Sequence, residues 1–277
     1  MLDGYDNGLR RGSMRLMILP MFVFLIPLAA ADNAATKYVE YLPGTMPLIL
    51  EVPHDGTEGY PGVAERKNPK NFPAFRTGRD LNTAELALKI QAYFQEKTGK
   101  KPYVVILNLA RKWIDVNREE ERGVENEKIA AVYRLYYAKL AEARNEVIGK
   151  FGKGLMLNIH SSNTWTHDVY FGSGGMRAVK PLLKRAGMNA YAGEFSIQQA
   201  LSDKGYEIPG YKNIPGEQGP TGNVNRALTW SEKDSKLDAI EIEINGKKHL
   251  ESPESLVKFT EDFSEAVRKF VGKYYQP

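Results

Sequence analysis

Two histidines, His54 and His160, each follow a short apolar run, in "PLILEVPHDG" (47–56) and "GLMLNIHSS" (154–162). Both runs read as buried strands that release an imidazole at the strand's end. Between them "NLARKWIDVNR" (108–118) brings Arg111, Asn117 and Arg118 from the end of a third apolar run. In open α/β sheets ligands bind outside the carboxyl ends of the strands, so imidazoles and guanidiniums are directed at one crevice. A metal centre beside an anion pocket follows, and with it a metallohydrolase. Such a centre needs about three protein ligands and one open position. The metal lowers the pKa of its water to about 7 and polarises the carbonyl under attack.

A lone histidine is most often structural, but two at matched strand ends favour metal. The third ligand is open between three carboxylates. Glu58 follows His54 closely, Glu65 lies farther along the same loop, and Asp80 opens the next helix. Aspartate there often only caps the helix; Asp80 is nonetheless preferred, with Glu58 second. Arginine matches a carboxylate bidentately, so Arg111, Asn117 and Arg118 form the substrate side, unless "IDVNR" is a charged turn with Asp115 pairing locally. In "DAIEIEIN" (238–245) the isoleucines take one face and Glu241 and Glu243 the other. Glu243, nearer the carboxyl end, is the candidate general base; the plain alternative is an edge strand with a solvated acidic face. "FGSGG" (171–175) lacks the Lys-Thr/Ser of a phosphate loop. "HSSNTWTHD" (160–168) has no nucleophile elbow. His167 is read as a surface residue, and Arg226 as a second anion contact.

These residues must be held by alternating strands and helices. Strands are expected at 38–41, 48–52, 103–109, 155–160, 169–175 and 238–245, and helices at 80–99, 125–151, 177–187 and 253–274. That alternation predicts an α/β fold with a largely parallel sheet. Two Gly/Pro-rich stretches, 55–79 and 203–226, are long for loops and mark an active-site rim. Before them, Arg10, Arg11 and Arg15 precede the apolar "LMILPMFVFLIPLAAA" (16–31). A basic segment, a short apolar core and a small-residue end describe a signal peptide over 1–31, cleaved after Ala31. Residues 32–277 then form a single catalytic domain, exported to the periplasm or beyond, without stable membrane association. The chain has no cysteine, which removes disulfides, lipid attachment at cysteine and thiolate catalysis. A dispersed net charge of +4 gives no nucleic-acid footprint.

Together, "PHDG" with His54, "RDLNTAELA" with Asp80, "ARKWIDVNR", "NIHSS" with His160 and "IEIEING" with Glu243 occur in the order seen in the N-formylglutamate amidohydrolase family. The chain resembles a divergent, exported member, and "IDVNR" is also similar to the Asp-x-Asn-Arg stretch of aspartoacylases. The wider relationship is to zinc carboxypeptidases. The resemblance implies a three-layer α/β/α fold with a mostly parallel mixed sheet of the phosphorylase/hydrolase kind. It implies His54, Asp80 and His160 as ligands of one zinc, with other divalent metals able to substitute. It implies Arg111, Asn117 and Arg118 as binders of substrate carboxylate and carbonyl, Arg111 polarising the carbonyl oxygen, and Glu243 as base. The substrate it implies is a small acidic N-acyl amino acid or short peptide. Cell-wall or poly-glutamyl peptides suit an exported enzyme as an alternative, and a metal-free carboxylate-binding protein is the reading of another class. Two positions depart from the family: Asp55 where serine or alanine is common, and Asn158 where an acidic residue often precedes the second histidine by two.

Overall fold

The computed structural model describes residues 33–73, 75–210 and 236–276. The leader with its cleavage site, Arg226 and the later part of the second rim stretch lie outside the described residues. Six strands form one mixed sheet: β1 (Val39–Leu42), β2 (Leu48–Val52), β3 (Tyr103–Leu107), β4 (Gly154–Ser162), β5 (Val169–Gly172) and β6 (Leu237–Asn245). Their spatial order is β1-β3-β2-β4-β6-β5. The four central strands run parallel, and β1 and β5 close the two edges antiparallel.

The central strands are buried on both faces, which is why they read as continuous apolar runs. Leu48, Leu50, Val52, Leu155, Leu157, Ile159, Ile240, Ile242 and Ile244 fill one face, against α1 (Thr83–Thr98) and the last long helix (Pro253–Tyr274). Ile49, Val105, Met156 and Ala239 fill the other, against α2 (Glu127–Phe151). The outcome is a three-layer α/β/α sandwich.

Local chemistry sets the helix bounds. Leu86, Ile90 and Phe94 put one side of α1 in the core, and Gly99 ends it at φ 69°, its N–H reaching the Gln95 carbonyl. The Asn126 side chain caps α2 by accepting from the Lys128 N–H at 3.0 Å. It starts after Glu125 because that carboxylate instead accepts from the Lys67 and Asn68 N–H groups of the first rim loop. The helix expected over 177–187 is a 3₁₀ turn (Arg177–Val179) followed by a short α-helix (Lys180–Ala186) restarted at Pro181. β6 is not an edge strand: it lies between β4 and β5, so its acidic residues face the molecule rather than open solvent. Among the described residues no helix is long and apolar enough to cross a membrane.

Candidate metal centre and anion pocket

The carboxyl ends of the parallel strands deliver the expected side chains to one place. His54 follows β2 and is fully buried, while His160 lies near the end of β4. Asp80 reaches them because its backbone N–H donates to the His54 carbonyl at 3.1 Å, closing the first rim loop on itself. Asp80 does not cap α1. That task falls to Asp55, whose carboxylate accepts from the N–H groups of Asn82 (3.2 Å) and Ala84 (2.7 Å) and pairs with Arg79. The departure at position 55 thus frees Asp80 to turn inward.

His54 Nδ1, His160 Nδ1 and Asp80 Oδ2 converge. The two nitrogens lie 3.3 Å apart, and the carboxylate oxygen is 2.7 Å from His160 and 3.5 Å from His54. Zinc ligands at about 2.0–2.1 Å in tetrahedral array sit roughly 3.3 Å from one another, so this donor set fits a divalent cation. His54 Nε2 lies 2.9 Å from Asp115 Oδ1, which fixes the proton on Nε2 and leaves the Nδ1 lone pair facing the other two donors. These three residues form a group that can hold a metal ion. Glu58, the second choice, lies outside this group. It is exposed and its backbone bridges Leu109 at the end of β3, while Glu65 pairs on the surface with Lys112 at 2.7 Å.

Strand register places the remaining carboxylates. His160 is the β-partner of Glu243, and Asn158 of Glu241. Glu243 accepts from Trp165 Nε1 at 3.1 Å. Arg111 sits between Asp115, with two nitrogens at 3.3 Å from Oδ2, and Asp80 at 3.5 Å. The Arg111, Asn117, Arg118, Asp80, His160, Glu241, Glu243 and Trp165 side chains line one cavity of about 550 Å³. Among the described residues the buried Asn117 Oδ1 has no hydrogen-bond partner. The other two histidines stand elsewhere: His167 packs on Tyr170, and His249 pairs with Asp168 at 2.9 Å.

Electrostatics follow from burial and neighbours. Burial raises the Asp80 carboxyl, but hydrogen bonds and charge from His160 and His54 win and hold it well below the usual range. Asp115 is likewise depressed, against its burial, by His54 and by Arg111 and Arg118. Burial disfavours a charged His160, yet the Asp80 hydrogen bond and the charges of Glu243, Asp80 and Glu241 push it up to about 9. Glu243 is raised, chiefly by burial, with His160 opposing and Asp80 adding.

Three contributors escaped sequence reasoning. Asp115 was legible only as a charged turn residue, and Trp165 carries no pattern. Glu51 looks like a stray acid in an apolar strand. It is the β-partner of Asn158, receives the Asn158 Nδ2 donor at 2.7 Å and the Tyr136 hydroxyl at 2.9 Å, and is fully buried. The carboxylate absent at position 158 is therefore supplied by the next strand. Burial pushes Glu51 up to about 7, the two hydrogen bonds and His160 pulling against it. The native state then binds a proton that the unfolded chain has released above its ordinary pKa of about 4.3. Stability accordingly falls as pH rises from about 4.3 to about 7, by on the order of 3 kcal/mol. Urea unfolding at pH 5 and pH 8 should show this loss in the wild type and a flatter response in Glu51→Gln; equal slopes would refute it.

No protein-family model matches the chain, and no curated protein sequence matches it. Solved structures do. The N-formylglutamate amidohydrolase from Ralstonia eutropha JMP134 aligns over 85% of this chain and 98% of its own, with TM-score 0.62 and 17% identity. The gene product Atu2144 from Agrobacterium tumefaciens aligns over 86% and 96%, with TM-score 0.55 and 15% identity. The fold thus agrees with the resemblance carried by the sequence motifs: this chain has the fold of an N-formylglutamate amidohydrolase.

Proposed function

We propose that the protein is a zinc-dependent amidohydrolase that cleaves the amide bond of a small acidic N-acyl amino acid or short peptide. One observation carries this reading: a His-Asp-His donor set opens through Asp80 and His160 onto a cavity that Glu243 and a cluster of guanidiniums also line. The similar fold of a protein described as an N-formylglutamate amidohydrolase supports it. His54, Asp80 and His160 would hold the ion. When bound, zinc supplies Lewis acidity toward the scissile carbonyl and the attacking water.

The rest is the work of this chain. Arg118 and Asn117 hold the substrate carboxylate, the guanidinium by charge and the asparagine by neutral hydrogen bonds. Arg111, kept in place by Asp115, donates to the carbonyl oxygen as negative charge develops there. Glu243, oriented by Trp165, takes a proton from the water and returns it to the leaving nitrogen. The basic-then-apolar leader supports export, so the enzyme would meet its substrate outside the cytoplasm.

Metal analysis of the purified protein tests this directly. About one zinc per chain is expected in the wild type, and almost none in His160→Ala. A folded wild type that contains no metal and refuses added zinc would overturn the hydrolytic reading.

A further inference from the structure

The cavity is larger than a single N-acyl amino acid needs. Pockets of about 300–1,000 Å³ enclose drug-sized ligands, and this one measures about 550 Å³. It is lined by Arg118, assigned with Asn117 to a substrate carboxylate, and by Arg111, assigned to the carbonyl oxygen. Its mouth is lined by two further arginines, Arg76 and Arg79, both exposed.

These two are fixed by the surrounding chain. Arg79, which lines the cavity, spends Nε on the Asp55 carboxylate and carbonyl, at 2.7 and 2.8 Å, so this bond does not use its terminal nitrogens. Arg76 anchors Nη1 on the Phe75 carbonyl at 2.8 Å and, among the described residues, has no carboxylate partner. A third arginine, Arg66, is buried and stacks on Phe75. Its Nη2 donates at 2.7 Å both to the Arg76 carbonyl and to the Arg111 carbonyl. One buried guanidinium therefore ties the backbone of the rim arginine to that of Arg111. Burial lowers the pKa of Arg118, Asp115 and Glu241 oppose that, and Arg111 and Arg76 add to it, so the rim and inner guanidiniums sense one another across the cavity.

We propose that Arg76 and Arg79 form a second anion subsite at the cavity mouth, so that the preferred substrate is an acidic peptide-sized amide bearing one carboxylate beyond those of the acylated amino acid. The inference rests on the hydrolase reading only in calling that ligand a substrate. A carboxylate of the acylated amino acid meets Arg118 and Asn117, and the additional one meets the rim pair. Arg66 sets the spacing between them.

Calorimetric binding of glutamyl-glutamate and of free glutamate to the full chain, wild type and Arg76→Glu, tests the subsite without requiring turnover. The wild type should bind the dipeptide at least about tenfold tighter, a typical gain for one charged contact. Arg76→Glu should shrink that ratio toward one, and Arg76→Lys should keep part of it. Hydrolysis of N-acyl-glutamate and N-acyl-glutamyl-glutamate, compared as a ratio of kcat/KM, should follow the same order. A wild-type ratio near one, or a ratio that survives Arg76→Glu, overturns the subsite. A dipeptide preference in a protein that hydrolyses neither amide leaves the subsite standing and defeats the hydrolase reading instead.

Discussion

Glu243→Gln lowers the turnover of the amide substrate by roughly 10²–10⁴-fold with KM near the wild-type value, the range expected when a positioned proton carrier is removed. The glutamine keeps the shape and can still accept from Trp165 Nε1, so the fold and the cavity survive. Only the capacity to take a proton is lost. The carboxylate stands opposite His160 across the β4–β6 ladder, beside the donor set and not out in solvent. Burial raises its pKa, Asp80 adds to that, and His160 opposes it. A base works ionised, so activity should rise with pH through this raised pKa. The acid limb of kcat/KM then lies above the ordinary glutamate value of about 4.3 and disappears in the variant. A loss smaller than about threefold, or an acid limb that persists in Glu243→Gln, would assign the proton to another group.

Asp115→Asn is expected to weaken zinc affinity about 10–100-fold and to leave activity low even when metal is saturating. Two functions meet on this one buried carboxylate. Oδ1 holds the Nε2 proton of His54 and accepts from the Asn117 N–H at 3.1 Å, while Oδ2 holds Arg111. An amide cannot serve both sides. Turned with its nitrogen toward His54, it forces two donors together and favours the wrong tautomer; turned the other way, it meets the Arg111 guanidinium with N–H groups. Zinc competition with a chelator reads the first effect, and kcat/KM in excess zinc reads the second. Glu58→Gln, remote from the donors, serves as comparison and should retain zinc. Equal zinc affinity in wild type and Asp115→Asn would remove Asp115 from the metal's support.

How much of this could be read from the chain differs by element. The apolar period of 86, 90 and 94 and the uninterrupted 103–107 run gave the right elements, because core packing writes directly into composition. Strand ends placed His54, His160 and Arg111 together, since parallel strands share one carboxyl end. The third ligand was undecided because Glu58 closely follows His54, whereas Asp80 opens the helix beyond the loop, where an aspartate often only caps. What separates them is an event elsewhere, the capping of α1 by Asp55, and no spacing rule contains it. Asp115 was obscured for a related reason. Its inward direction depends on a turn whose backbone is pinned from a distance, the Asp115 N–H donating to the Gly123 carbonyl at 3.0 Å. Gly123 also lies so close to the Asp115 carbonyl that no side chain fits there. Glu51 required knowledge of register, because its partner Asn158 is on a neighbouring strand.

The closure of the first rim loop has a consequence for how such a protein changes over time. Its two ends are clamped at the metal side by the Asp80 N–H on the His54 carbonyl and by Asp55 on the start of α1. The ligands are thus registered by the clamp and not by the contour of the intervening chain. Doubling a loop costs only about 0.6 kcal/mol in closure entropy, so the exposed stretch carrying Arg76 and Arg79 can be lengthened or trimmed while the donors keep their places. On the reading proposed above, the mouth of the cavity and the donor set are thus separately heritable parts of the chain, and a graft of this one segment would change the first without rebuilding the second.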